Sequence, residues 1–115
     1  MWQESYRILK KGGLLMVVYM NPWIYVFDAD DVWDHPDKAL TPKYPLPFNS
    51  RQLEEAGAIT INPEFGYEFS HTLEEQIAGQ LKAGFAMIDF YESKDQRNRL
   101  SQFGSDYLAN LSIKY

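Results

Sequence analysis

A short segment of polar and aromatic residues follows the most apolar stretch of the chain and holds the first candidates for chemistry. Asn21, Trp23 and Tyr25 come directly after the run Leu14–Met20. Since α/β proteins bind ligands at the ends of their sheet strands, we predict these three as substrate-binding residues. The structural alternative is that Asn21 and Pro22 end a strand and that Trp23 anchors the turn.

His71 is the fourth substrate-binding candidate. It stands directly before Thr72, which with Glu75 forms a capping box that predicts a helix start. An imidazole ring has a pKa suited to accepting a proton from a hydroxyl or amine. The sequence gives His71 no visible orienting partner, so the alternative is a residue that merely belongs to the helix start.

A cluster of acidic residues raises the question of a metal site. Its members are Asp28, Asp30, Asp31, Asp34 and His35. A calcium-binding EF-hand loop is excluded, because the positions for an oxygen ligand, a glycine and a glutamate hold Val32, Trp33 and Ala39. A looser metal site is the minor alternative to a solvated acidic face, and we predict no metal ion.

Composition narrows the class of protein. The 115 residues suffice for one domain with one core, and the net charge of −5 without a basic stripe argues against a nucleic-acid surface. Cysteine is absent, which excludes disulfides and thiolate chemistry. The apolar run from Leu14 to Phe27 is too short to span a bilayer, and no signal segment is visible. We therefore predict a cytoplasmic protein that binds neither nucleic acid nor membrane.

The helices and strands that position the candidate residues are predicted from hydrophobic periodicity and from the residues that begin and end such elements. Leu14–Met20 is predicted as a strand apolar on both faces, which expects cover above and below. Residues 23–48 contain four prolines and are predicted as an insertion or lid loop with a short helix at 27–33. The other predicted elements are helices at 1–9, 49–56 and 72–84, the last with Leu73, Ile77 and Leu81 on one face, short extended pieces at 58–61 and 65–69, strands at 85–91 and 107–115, and a polar loop at 92–106.

These elements, in this order, resemble a known family. Trp2–Gly13 followed by an apolar strand is similar to the segment before the fifth strand of class I S-adenosylmethionine-dependent methyltransferases, with Lys11 where that family commonly has proline. Leu73–Phe85 looks like the family's last helix, which leads into the sixth strand. The resemblance implies an α/β fold, the C-terminal half of a Rossmann-like methyltransferase sheet. It would have about three main strands, the last one antiparallel between the other two, with flanking helices and a long insertion after the first strand.

The resemblance also implies what this chain does not contain. The family holds S-adenosylmethionine with a glycine-rich loop after its first strand and an acidic residue after its second. No residue here matches either feature, so no cofactor-binding residue is predicted and no cofactor is expected for the chain alone. Asn21-Pro22-Trp23 resembles the Asn-Pro-Pro-aromatic motif of amino-methyltransferases, but it follows the fifth strand and lacks the second proline.

We therefore expect residues 1–115 to form a single partial domain, from a truncated, split or decayed methyltransferase. The expected function is the substrate-side half of a small-molecule methyltransferase that is inactive alone. The alternative is a non-enzymatic stable remnant or a self-associating interaction module. In both cases the strand Leu14–Met20 is predicted to pair with a partner, either a second copy or the missing N-terminal half. No catalytic residue is predicted, because methyl transfer depends mainly on positioning.

Overall fold

The computed structural model describes residues 1–33, 37–95 and 97–115, so the predicted cluster members Asp34 and His35 lie outside the described residues. The helices are α1 Trp2–Ile8, α2 Ala29–Trp33, α3 Ser50–Glu55 and α4 Leu73–Ala83; the strands are β1 Leu14–Met20, β2 Phe85–Ser93 and β3 Tyr107–Lys114; two 3-10 helices span Pro22–Val26 and Arg99–Gln102. None of the helices within these ranges is long and apolar enough to cross a membrane.

The three strands form one sheet in the order β1-β3-β2, and β3 runs antiparallel to both neighbours. Leu14 lies opposite Ile113, and Phe85 lies opposite Lys114. The predicted position of the last strand between the other two is confirmed. Strand β2 extends two residues beyond its predicted end, with an irregularity in its register between Met87 and Asp89.

Helices α1 and α4 cover one face of this sheet. The Tyr6 ring packs edge-on against Phe85 with their centroids 5.2 Å apart, and Nζ of Lys114 donates to the Tyr6 carbonyl at 2.7 Å. The two helices approach closely because residue 79 is glycine. A Cβ atom there would lie 2.5 Å from the Trp2 indole ring, so a larger side chain would push the helices apart.

A buried polar network joins α4 to β3. Gln80, Asn110 and Ser112 are fully buried. The Gln80 amide donates to Oδ1 of Asn110 at 3.0 Å, and its oxygen accepts from Nδ2 of Asn110 at 2.7 Å and from Oγ of Ser112 at 2.8 Å. Because each polar group has a partner, the network fixes how α4 sits on the sheet.

The opposite face of the sheet is open within the described parts of the chain. Leu14, Met16 and Val18 point to this side and are 54%, 55% and 63% exposed. The prediction that β1 is covered above and below is therefore wrong for this chain. Both packed helices lie on the other face, and no third layer is formed from the described residues.

The insertion contributes to the hydrophobic core beside the sheet. Ile24 and Val32 are buried together with Leu100 from the second 3-10 helix, and Trp23 and Phe27 pack around them. The predicted short helix is present as α2. The first part of the insertion is thus packed against the loop before β3, while the function of residues 23–48 as a lid stays a prediction.

Two local predictions are only partly met. Residues 58–61 and 65–69 form no strand. Between them the chain turns, and the Asn62 carbonyl accepts hydrogen bonds from the backbone N–H groups of Phe65 and Gly66. Phe69 makes one isolated β-bridge to Asn49. On α4, the buried position is Gln80 rather than the predicted apolar face. Leu73 and Leu81 of that face are 42% and 50% exposed.

Candidate functional site

A cleft of about 320 Å³ opens where β1 ends and α4 begins. Its apolar lining consists of Pro22 and Trp23 from the first 3-10 helix, Leu46 and Pro47 from the insertion, and Leu73 from α4. The volume falls in the range of roughly 300–1,000 Å³ that is common for small-molecule sites. The sequence segments that form the cleft are 21–23, 46–47 and 70–73, so three separate parts of the chain converge there.

Three of the four predicted substrate-binding residues line this cleft: Asn21, Trp23 and His71. Tyr25 does not. Its ring packs on Phe48 at 5.4 Å between centroids, and its hydroxyl donates to Sδ of Met20 at 3.4 Å. Burial raises the pKa of the Tyr25 hydroxyl, with a further contribution from the Glu68 carboxylate, so this side chain is held as a neutral phenol beside the core.

A short clip between residues 48–50 and 68–70 holds the insertion against the start of α4. The backbone N–H of Phe48 donates to Oγ of Ser70 at 2.6 Å, and the N–H of Ser70 donates to the Phe48 carbonyl at 2.8 Å. Ser50 and Glu68 repeat the same pairing, with Oγ of Ser50 accepting from the N–H of Glu68. The clip places Leu46 and Pro47 across the cleft from Leu73.

Asn21 and Trp23 also hold the loop that precedes β3. Nε1 of Trp23 donates to the Ser105 carbonyl at 2.7 Å, and Nδ2 of Asn21 donates to the same oxygen at 3.3 Å. The backbone N–H of Asn21 donates to the Asp106 carbonyl at 2.8 Å. The alternative role for these two residues, in which Asn21 ends the strand and Trp23 anchors the turn, is therefore present in the structure. In this role each residue donates a side-chain N–H to the Ser105 carbonyl.

The same loop contains buried polar residues that sequence reasoning treated as a plain polar loop. Asn98 and Asp106 are 3% and 0% exposed. Oδ1 of Asn98 accepts from the N–H groups of Leu100 and Ser101, while its amide donates to the Asp106 carboxylate. Asp106 also accepts from the Asp95 backbone at 2.8 Å. Asn98 is a strong N-cap residue type, and that signal was available in the sequence.

His71 has an orienting partner that the sequence did not reveal. Its Nδ1 lies 3.3 Å from Oε2 of Glu75, one turn further along α4. Oγ1 of Thr72 accepts from the Glu75 backbone at 3.0 Å, as the capping box predicts. In a capping box the Glu carboxylate reaches back to the backbone of the N-cap residue, but here the Glu75 carboxylate contacts the His71 ring. A carboxylate at Nδ1 favours the tautomer whose proton is on Nδ1, which leaves Nε2 as a hydrogen-bond acceptor.

The acidic cluster serves the packing of the insertion. Asp31 is 3% exposed and forms ion pairs with Nζ of Lys38 at 3.0 Å and of Lys43 at 3.1 Å. Hydrogen bonds from Lys38 and then Lys43 lower the pKa of Asp31. No group of three or more His, Asp or Glu residues able to hold a metal ion is found among the residues that the structure covers.

Asp28 pairs with a tyrosine of the same insertion. Its carboxylate accepts from the Tyr44 hydroxyl at 3.0 Å and from the backbone of Asp30 at 3.0 Å. Burial, together with the hydrogen bond to Asp28, raises the pKa of Tyr44 to about 12. The carboxylates of Asp28 and Asp31 therefore have partners inside the protein and do not indicate a ligand site.

The glycine pair before β1 does not fit a cofactor-binding role. The N–H of Gly12 donates to the Lys114 carbonyl and that of Gly13 to the Lys10 carbonyl at 2.8 Å. A Cβ at Gly13 would lie 2.8 Å from the Lys10 oxygen, so the glycines serve a tight turn. This turn is at the start of β1, whereas α/β folds bind ligands beyond the ends of their parallel strands. Gly12 and Gly13 therefore do not form a cradle for S-adenosylmethionine.

The α/β arrangement and the sequence are both similar to methyltransferases, and the predicted resemblance is confirmed. The chain is 34% identical over 116 residues to YbaJ of Bacillus subtilis (strain 168), an uncharacterized methyltransferase; the match includes 98% of this chain and 44% of YbaJ. A crystal structure of a proposed S-adenosylmethionine-dependent methyltransferase from Listeria monocytogenes aligns with a TM-score of 0.59 at 17% identity, over 99% of this chain and 53% of that one. No family model matches. The chain thus spans about half the length, or less, of the proteins it matches.

Proposed function

We propose that this chain is the substrate-side part of an S-adenosylmethionine-dependent small-molecule methyltransferase, which acts only when joined to a part that binds the cofactor. The observation that carries the proposal is the open apolar sheet face at Leu14, Met16 and Val18, next to the edge of β1 that no other described strand pairs with. An exposed apolar patch beside a free strand edge is typical of an association surface. The likeness to less than half of YbaJ supports a methyltransferase part as the occupant.

The cleft supports the assignment of the substrate side. Asn21, Trp23 and His71 meet just beyond the end of β1, where α/β folds bind ligands. The glycine turn at the start of β1 has its amides engaged internally. In the proposed enzyme, this part contacts the substrate and the other part supplies the loop that binds the cofactor.

Calorimetry with S-adenosylhomocysteine tests the proposal. It would be titrated into this chain, into the portion of YbaJ that lies outside the match, and into an equimolar mixture of the two. We expect micromolar binding in the mixture that exceeds the sum of the separate proteins, because the cofactor part is stabilised when its sheet is completed. Identical heats for the mixture and for the separate parts would contradict the proposal.

A matched pair of variants locates the association surface. Val18→Lys places a charge on the open face, and Phe65→Lys places the same charge on a side chain that is 74% exposed elsewhere. We expect Val18→Lys to abolish the gain in the mixture, because a lysine buried against apolar surface is costly, and Phe65→Lys to leave it unchanged.

The second candidate function is a self-associating module that binds no cofactor. The same open face and free edge favour it, since two copies could pair their β1 strands across a two-fold axis. Sedimentation at micromolar concentration tests this reading. A dimer that Val18→Lys converts to monomer would support it, whereas a strictly monomeric particle would exclude pairing between copies.

A further inference from the structure

We infer that the cleft between β1 and α4 accepts a neutral, mainly apolar ring compound with one hydroxyl or N–H group, and that this group donates to Nε2 of His71. The inference rests on the proposed function, because it names the substrate class for the substrate side. Its test uses neither the cofactor nor the second part.

The apolar character of the ligand follows from the walls of the cleft. Five of the nine lining residues are apolar, and three of these carry rings: Pro22, Trp23 and Pro47. The indole of Trp23 is a flat aromatic surface, and such surfaces favour a planar ring system. Leu46 and Leu73, which are 41% and 42% exposed, stand at the rim and would lose water on binding.

We expect the ligand to make few polar contacts, because the polar side chains that line the cleft already form hydrogen bonds within the protein. Nδ2 of Asn21 donates to the Ser105 carbonyl, Oγ of Ser70 accepts from the Phe48 backbone, and Oγ1 of Thr72 accepts from the Glu75 backbone. Each of these side chains therefore already uses one hydrogen-bonding position inside the protein, and only the remaining positions can serve a ligand. A ligand with many polar groups would leave several of its own groups unpaired, at a cost in affinity.

The neutrality of the ligand follows from the absence of ionised groups in the lining. No Lys, Arg, Asp or Glu is among the residues that line the cleft in the described parts of the chain. A carboxylate or an ammonium group would lose its hydration without gaining a counter-charge.

His71 supplies the specific contact. Its Nδ1 faces the Glu75 carboxylate at 3.3 Å, so the ring is oriented with Nε2 left as an acceptor. An acceptor at this position selects a ligand with an O–H or N–H group over one that can only accept. His71 is one of the residues that line the cleft, and its side chain is 60% exposed.

Binding of three naphthalene derivatives to the 115-residue chain tests the inference. 2-Naphthol is neutral and has one donor, 2-methoxynaphthalene keeps the rings and oxygen without a donor, and 2-naphthoate carries a charge. Binding would be followed by NMR at the Trp23 indole N–H and the His71 ring protons. We expect saturable shifts with 2-naphthol, binding about fivefold to tenfold weaker for the methoxy compound, and more than tenfold weaker for the carboxylate.

Variants assign the binding to this cleft. Leu73→Ala should weaken 2-naphthol binding about threefold to tenfold, whereas Leu81→Ala, on the same helix and similarly exposed but outside the cleft, should leave it unchanged. His71→Ala should reduce 2-naphthol to the affinity of the methoxy compound. Absence of binding, equal binding of the three compounds, or equal effects of the two leucine variants would each overturn the inference. None of these three outcomes depends on the calorimetric titration with S-adenosylhomocysteine, which tests the proposed function separately.

Discussion

The buried amide network gives the sharpest test of how α4 is held against the sheet. Replacing Gln80 with alanine removes the acceptor of the Ser112 hydroxyl and the donor to Oδ1 of Asn110, while Nδ2 of Asn110 keeps its bond to Ser112 at 3.0 Å. Two buried polar groups are thereby left without partners. At about 1–3 kcal/mol for each, the expected loss in the free energy of unfolding is about 2–6 kcal/mol, a large share of the roughly 5–15 kcal/mol typical of a domain.

Urea unfolding followed by far-ultraviolet circular dichroism measures this loss. Gln52→Ala is the matched control, because Gln52 is an exposed residue of α3, and its replacement should cost less than about 0.5 kcal/mol. The combined Gln80→Leu, Asn110→Leu, Ser112→Ala variant should regain most of the stability, since it leaves none of the three polar side chains buried.

A Gln80→Ala loss below about 0.5 kcal/mol would refute the reasoning. If that variant does not fold, Ser112→Ala gives a smaller perturbation of the same network. It removes one donor and one acceptor and should cost about 1 kcal/mol.

Two further predictions concern the titration of the insertion. Hydrogen bonds from Lys38 and Lys43 lower the pKa of Asp31, so its contribution to stability is present above its usual pKa of 3.8 and is lost as the pH falls through the lower folded value. The fall in unfolding free energy below pH 4 should be shallower in Asp31→Asn; equal slopes would contradict this. Tyr44 has a pKa of about 12, so the difference in absorbance at 295 nm between wild type and Tyr44→Phe should rise near pH 12 while circular dichroism shows folded protein. A rise near pH 10 would contradict it.

The elements that sequence patterns predicted well are those set by local chemistry. Asn49 and Thr72 each accept a backbone N–H at the start of a helix, as their residue types predict. Gly84 takes the left-handed conformation at φ 116°, which ends α4 where the glycine was expected to end it. These interactions span a few residues, so a single sequence contains the information for them.

Local sequence patterns could not predict that distant residues meet in the cleft. Asn21 and His71 are 50 positions apart, and they meet because the clip between residues 48–50 and 68–70 returns the chain to the end of β1. The residues of the clip carry no periodic signal, since Ser50 and Ser70 act through single hydroxyl groups that accept backbone N–H donors. His71 and Glu75 are four positions apart, a spacing that allows contact on a helix, but the sequence alone did not reveal this contact.

Strand β3 shows why alternation alone did not reveal the environment of each face. The pattern separates Ala109, Leu111 and Ile113 from Asn110 and Ser112, as the structure confirms. An ordinary two-layer domain places the apolar set against its helices and the polar set towards water. Here Asn110 and Ser112 lie against α4 with their polar groups paired to Gln80, on the same face as the buried Leu108. Ala109, Leu111 and Ile113 lie on the open side of the sheet, where Ala109 is the one buried member of the set.

This inversion bears on the proposed function. If the sheet had adapted to an open face, selection for solubility would favour polar side chains at Leu14, Met16 and Val18. These positions are the cheapest to change, because their side chains are more than half exposed. They are instead apolar, while the covered face holds the polar network. Such a distribution fits a sheet whose open side is buried by another layer. Val18→Lys should therefore raise the solubility of the isolated chain and at the same time remove its association, since both effects would follow from charging the same surface.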